Sequence, residues 1–147
     1  MRRIQRALDK EELVKELTSG ETPCFREIWR LLIFAATLGF KLGRREELGD
    51  TDSGKAVPEN YFANSTAWPG LLFLFGLVEK NETNLLLAAD EADDELAKIF
   101  EEYANGGLAY LKSRLATKGS NLLSILDLIA EVTATPPSAP NLKDIGI

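Results

Sequence analysis

The chain has 147 residues, 45% of them hydrophobic and 27% charged, which suits one domain with its own core and lies far from the composition of disordered chains. Its 23 acidic residues outnumber 17 basic ones, giving a formal net charge of -6 that opposes nonspecific association with nucleic-acid phosphates. It holds no histidine and a single cysteine, Cys24, so Ser-His and Cys-His nucleophiles, the commonest metal ligand and an intramolecular disulfide are excluded.

Met1-Arg2-Arg3 is not followed by the apolar run of a signal peptide, so a cytoplasmic location is expected. The most apolar stretches, Leu31 to Phe40 and Leu71 to Val78, are about half the roughly 20 residues of a membrane span and predict buried helices; no membrane association is expected.

In chain order, Asp9 and Glu12 have the spacing of a helix start, with Leu13, Val14 and Leu17 on one stripe and Gly20 beyond the end. The turn from Arg3 to Leu8 extends that pattern backwards as further helix. Thr22-Pro23 then predicts a capped second helix through Phe25, Ile28, Trp29, Leu32, Phe34 and Leu38, stopping at Gly39. Its second half is apolar nearly all round, which marks it as the central helix. From Gly39 to Asn64 the chain reads as a flexible loop, with a short strand or turn near Val57 to Phe62.

Ser65 or Thr66 caps a helix with Trp68 and Pro69 in its first turn and Leu71, Leu72, Leu74, Phe75 and Val78 on its apolar side. Leu85-Leu86-Leu87 opens a strand or the next helix, and the acidic run Asp90 to Glu95 suits a helix N-terminus through the macrodipole. A long amphipathic helix follows, its stripe running Leu96, Phe100, Tyr103, Gly107, Leu111 and Leu115. Gly106-Gly107 costs such a helix about 1 kcal/mol per glycine relative to alanine, so the pair either breaks it or admits a close neighbour. Ser120 caps a last helix through Leu122, Leu123, Ile125, Leu126, Leu128, Ile129 and Val132. Pro136, Pro137 and Pro140 then mark an extended, poorly ordered tail.

The expected fold is therefore all-α, five to six helices around a buried central helix with room for one short strand pair. Residues 1–132 form the domain and residues 133–147 the Pro-rich tail.

Few residues suggest chemistry. The run Asp90 to Glu95 supplies carboxylates of the kind that bind Ca2+ or Mg2+, but it lacks an EF-hand loop, and helical side chains fan outward; a solvated helix start accounts for it. Glu101-Glu102 beside Tyr103 points about 100° apart on a helix, the wrong geometry for a catalytic pair. Cys24 near a helix start would be activated, yet no histidine can serve as its base, and a partly buried structural thiol is the alternative. Gly39, Gly43, Gly49 and Gly54 lack the Gly-Lys-Ser/Thr ending of a phosphate loop. No catalytic, cofactor or metal residue is assigned. Lys41, Arg44 and Arg45 form the strongest cationic cluster, with Arg2, Arg3 and Arg6 as a second, available to DNA or an acidic partner. Glu46 and Glu47 offset much of the first cluster's field.

The strings Leu31-Leu-Ile-Phe-Ala-Ala-Thr-Leu-Gly-Phe-Lys-Leu-Gly-Arg-Arg45 and Ile99-Phe-Glu-Glu-Tyr-Ala-Asn-Gly-Gly-Leu108 resemble those of the fourth Dnd-system-associated accessory family. That family is similar in layout to the DNA sulfur-modification protein DndE. The resemblance implies a bacterial accessory protein encoded beside DNA phosphorothioation genes, helical and without established enzymatic activity.

Together these readings predict a noncatalytic accessory protein of a phosphorothioation or phage-defence system that works through a protein partner or as a homo-oligomer. The competing reading is a DNA-binding module using Lys41, Arg44 and Arg45, which the net charge disfavours. An enzyme using the carboxylates is the third.

Overall fold

The computed structural model describes residues 1–80 and 90–134, with the side chains of residues 80 and 90–92 left aside. Six helices are found there: α1 (Glu11–Thr18), α2 (Ile28–Leu42), α3 (Glu59–Phe62), α4 (Trp68–Lys80), α5 (Asp90–Lys118) and α6 (Leu122–Ala134). No strand occurs among the described residues. Where a strand pair had room to form there are two isolated antiparallel bridges, Ile4 to Val57 and Ala7 to Thr51. The turn from Arg3 to Leu8 is thus not helical as far as Ala7. Ile4 exchanges both backbone hydrogen bonds with Val57, at 2.8 and 2.9 Å, which holds the segment extended.

The architecture rests on the crossing of α2 with α5. Small residues at the crossing let the two backbones meet. A Cβ on Gly107 would overlap the Ala35 carbonyl oxygen and stand 2.6 Å from the carbonyl carbon and 3.0 Å from Cα. A Cβ on Gly39 would overlap the Tyr103 carbonyl oxygen, and one on Gly106 the carbonyl oxygen of Arg44. The glycine pair therefore sits inside a continuous helix and serves close approach, at the cost in helix propensity that glycine carries. The stripe of Leu96, Phe100, Tyr103, Leu111 and Leu115 on α5 is buried as its spacing predicts.

Gly39 does not end α2. The helix runs on to Leu42, and Gly43 stops it in the left-handed region at φ 66°. Arg44 N–H donates to the Gly39 carbonyl at 2.8 Å and Gly43 N–H to Phe40 at 3.2 Å, the pattern that satisfies a helix's last carbonyls. The start is also later than Thr22-Pro23 predicts. Phe25 N–H is committed to the Leu17 carbonyl at 3.0 Å, which ties that stretch to the end of α1 and leaves Ile28 as the first helical residue.

The other caps differ in similar ways. Asp9 does not cap α1, because its carboxylate takes Lys10 Nζ at 2.9 Å; Leu13, Val14 and Leu17 are nonetheless buried. Ser65 precedes α4 as read, its hydroxyl accepting from Ala67 N–H at 3.3 Å. On α4, Trp68, Leu72 and Phe75 are buried, whereas Leu74 and Val78 of the expected apolar side are exposed. Trp68 stacks on Phe62 at 4.6 Å and meets Phe100 edge-on at 4.8 Å, while Phe75 stacks on Phe40 at 4.7 Å. These rings clamp α3 and α4 onto the central pair.

For α6 the capping residue is Asn121, whose Oδ1 accepts from Ser124 N–H at 2.9 Å; Ser120 instead donates to Glu16 at 2.9 Å. The loop after Gly43 is tied to α5. Glu46 N–H donates to the Glu102 carbonyl at 3.1 Å, and Asn105 Nδ2 to the carbonyls of Glu46 and Glu47 at 3.3 and 2.9 Å. The readings of Leu85 to Leu87 and of the tail from 135 onward lie outside the described residues; Thr133 and Ala134 belong to α6.

Candidate functional site

The cationic cluster after α2 was the sharpest functional candidate, and the fold disperses it. The Gly43 stop turns the chain so that Arg45 lies against α5. There Arg45 donates to Glu102 Oε1 from Nε at 3.0 Å and from Nη2 at 2.8 Å, and to Glu79 Oε2 from Nη1 at 2.6 Å. Glu79 also accepts the Tyr103 hydroxyl, so four side chains from α4, the loop and α5 form one connected network. Burial pushes the Tyr103 phenol well above its ordinary range, and the hydrogen bond to Glu79 and its charge add to the rise. For Arg45, burial opposes the charged form, but the hydrogen bonds to Glu102 and Glu79 outweigh it and raise its pKa.

Arg44 pairs with Glu46 at 3.1 Å and places its guanidinium over the Tyr110 ring at 5.8 Å. Lys41 is exposed and stands on the rim of an apolar groove between α2 and α6. The three residues do not present one cationic face.

In the second cluster Arg2 and Arg6 are committed in the same manner, while Arg3 is exposed. Arg2 makes two parallel 2.7 Å hydrogen bonds to Glu101, which raise its pKa against the effect of burial. Buried Arg6 pairs with Glu11 and donates to the Lys55 carbonyl. Glu101 and Glu102, each 5% exposed, thus receive arginines from two different segments, as neighbours about 100° apart on a helix must. They brace the fold, and a carboxylate held this way is not presented as an acid or base. One signal of this role is visible in the sequence: two glutamates inside the otherwise apolar stretch from Ile99 to Ala104.

Cys24 lies before α2, with Sγ 3.8 Å from the Ser120 carbonyl, and burial pushes its thiol pKa up rather than down. It borders a cavity of about 560 Å3 with Glu16, Ser120 and Asn121. The acidic run begins α5 as read. Among the described residues no group of three or more Cys, Asp or Glu side chains is arranged to hold a metal ion, and no helix is long and apolar enough to cross a membrane.

Fold and site together define an acidic helical protein in which Arg2, Arg6 and Arg45 tie separate segments together through their hydrogen bonds. The chain matches, over residues 3–144, the family model described as DNA sulphur modification system-associated protein 4, and it belongs to that family. The resemblance carried by the two sequence strings thereby holds along nearly the whole chain, and the protein is associated with a DNA sulphur modification system. No curated protein and no solved structure matches it.

Proposed function

We propose that the protein is a noncatalytic accessory component of the DNA sulphur modification system and acts by binding other proteins of that system. One observation carries this reading: Arg2, Arg6, Arg44 and Arg45, four of the five arginines in the two cationic clusters, are held by Glu101, Glu11, Glu46 and the Glu79–Glu102 pair. Binding phosphate with them would mean breaking ion pairs, in a molecule whose net charge already repels DNA. Apolar surface, by contrast, is available: Phe73, Leu74 and Val78 are exposed together on the outer side of α4.

The test is co-expression of the tagged full chain with the sulphur-modification proteins of its own host, followed by purification. Co-purification that Leu74→Glu with Val78→Glu abolishes, at unchanged melting temperature, is the expected result. In parallel, fluorescence anisotropy with duplex DNA across a salt series is expected to show no binding. An affinity that falls steeply with salt would replace this reading with the DNA-binding one.

A further inference from the structure

Helix α6 is apolar on two sides. Ile125, Leu128 and Val132 face the domain and are buried, while Leu122, Leu126 and Ile129, spaced four and three apart, are 57%, 51% and 36% exposed. A surface helix packed on one face has no need of the second stripe. The stripe changes character along its length. In its first half Leu122 and Leu126 stand out as a ridge beside Leu123, which is 74% exposed. In its second half Ile129, Val132 and Thr133 form one wall of an apolar groove of about 170 Å3, with Phe34, Thr37, Leu38 and Lys41 of α2 opposite.

We propose that this face is the interface between two copies of the chain, their α6 helices packed antiparallel about a twofold axis. One helix carries both halves of the fit. With the axis passing between Asp127 and Leu128, Leu126 of each copy meets Ile129 of the other, and Leu122 meets Thr133. Leucines four apart make the kind of ridge that packs into the groove of a facing helix. Because the twofold axis repeats every contact, each ridge fills the other copy's groove and the pair closes on itself.

The charges agree with that direction. Lys41 is the only charged residue lining the groove, beside the second half of α6. Reversing one helix sets it against the first half of the other copy's α6, where the exposed Glu21 lines a cavity with Leu122 and Leu123. A parallel pair would set both lysines at the same level of the interface and leave Glu21 without a cation. Pairing of this kind fixes register more than it adds affinity. Contact along one helix pair is small for a specific interface, so the dimer is expected to come apart on dilution into the micromolar range. The inference is independent of the proposed partner face on α4.

Sedimentation velocity of the full chain over a dilution series tests it. The expected result is a monomer that becomes a dimer, and nothing larger, as concentration rises. Leu122→Glu with Leu126→Glu is expected to stay monomeric throughout and to melt where the dilute wild type does, since both side chains are exposed within one copy. Lys41→Glu is expected to weaken dimerisation at least about tenfold, because the substitution acts twice, and adding Glu21→Lys to restore it to within about threefold. Leu74→Glu with Val78→Glu on α4 is expected to leave the dimer intact. A wild-type monomer at every concentration up to the millimolar range would overturn the proposal and assign the face to a different protein. A dimer that survives the α6 pair of substitutions, or species that grow beyond the dimer, would overturn it as well. Failure of Glu21→Lys to restore the Lys41→Glu variant would overturn the antiparallel register.

Discussion

Replacing Gly107 with alanine probes the crossing on which the fold depends. On an open helix the change gains about 1 kcal/mol from propensity alone. Here the new methyl would overlap the Ala35 carbonyl oxygen, and its 2.6 Å separation from the carbonyl carbon falls well short of the 3.4 Å at which ordinary contact begins. The atoms met belong to the main chain of α2, so no rotamer change relieves the clash and one helix must move against the other. Overpacking typically costs about 1 to 3 kcal/mol, and a backbone clash belongs at the upper end, so a net loss of about 2 to 3 kcal/mol is expected. At this chain length that lowers the melting temperature by roughly 5 to 12 °C. Urea unfolding followed by circular dichroism should show a lower midpoint at unchanged m-value. Ala35→Gly should not rescue the variant, because the obstructing oxygen remains. Gly70→Ala on α4, where a Cβ meets nothing within 4 Å, should be neutral or stabilising. An unchanged or raised midpoint for Gly107→Ala would refute the close-crossing argument.

Three further outcomes follow from the network and the caps. Tyr103→Phe removes the hydrogen bond to Glu79 and should cost about 1.5 to 3 kcal/mol at neutral pH. Because the folded-state phenol pKa is raised, its stabilisation is complete below the ordinary value near 10 and is lost as pH rises beyond it; the gap between wild type and variant should narrow in alkaline unfolding titrations. Glu102→Gln should destabilise by about 1 to 3 kcal/mol, discounted for the partial exposure of Arg45. A double-mutant cycle with Arg45→Met should give a coupling above about 0.5 kcal/mol; a value of zero would mean the pair is incidental. Asn121→Ala should cost about 1 kcal/mol in thermal melts and Ser120→Ala distinctly less, an order that reverses if Ser120 is the cap.

What was legible in the sequence was whatever a single helix encodes in its own spacing. The stripe from Leu96 to Leu115 on α5 follows from three-and-four periodicity, and Gly106-Gly107 narrowed the choice to a broken helix or a close neighbour, of which the structure shows the second. Gly39 was misread as a stop because a terminating glycine and one that admits another backbone look alike until the partner is known. Thr22-Pro23 misled because Phe25 N–H belongs to Leu17, a contact between segments. Leu74 and Val78 could not be separated from Leu72 and Phe75, since α4 is apolar on nearly every side. The cationic cluster was visible as charge but not as neutralised charge. Arg45 finds Glu79 and Glu102 across 34 and 57 residues, and only the fold brings them together.

The joining of Arg2 to Glu101 bears on how the molecule comes into being. The pair closes over 99 residues, and Leu8 and Ile4 likewise wait for Asp50 and Val57. Ribosomes extend chains at about 5 to 20 residues per second, so the segment around Arg2 spends roughly 5 to 20 seconds after its own synthesis before Glu101 has been made. Arg2 therefore has no Glu101 to meet until α5 is being made. The crossing of α2 with α5 waits as long, because Gly107 follows Glu101 in the chain, so the central crossing and the Arg2 pair become possible together.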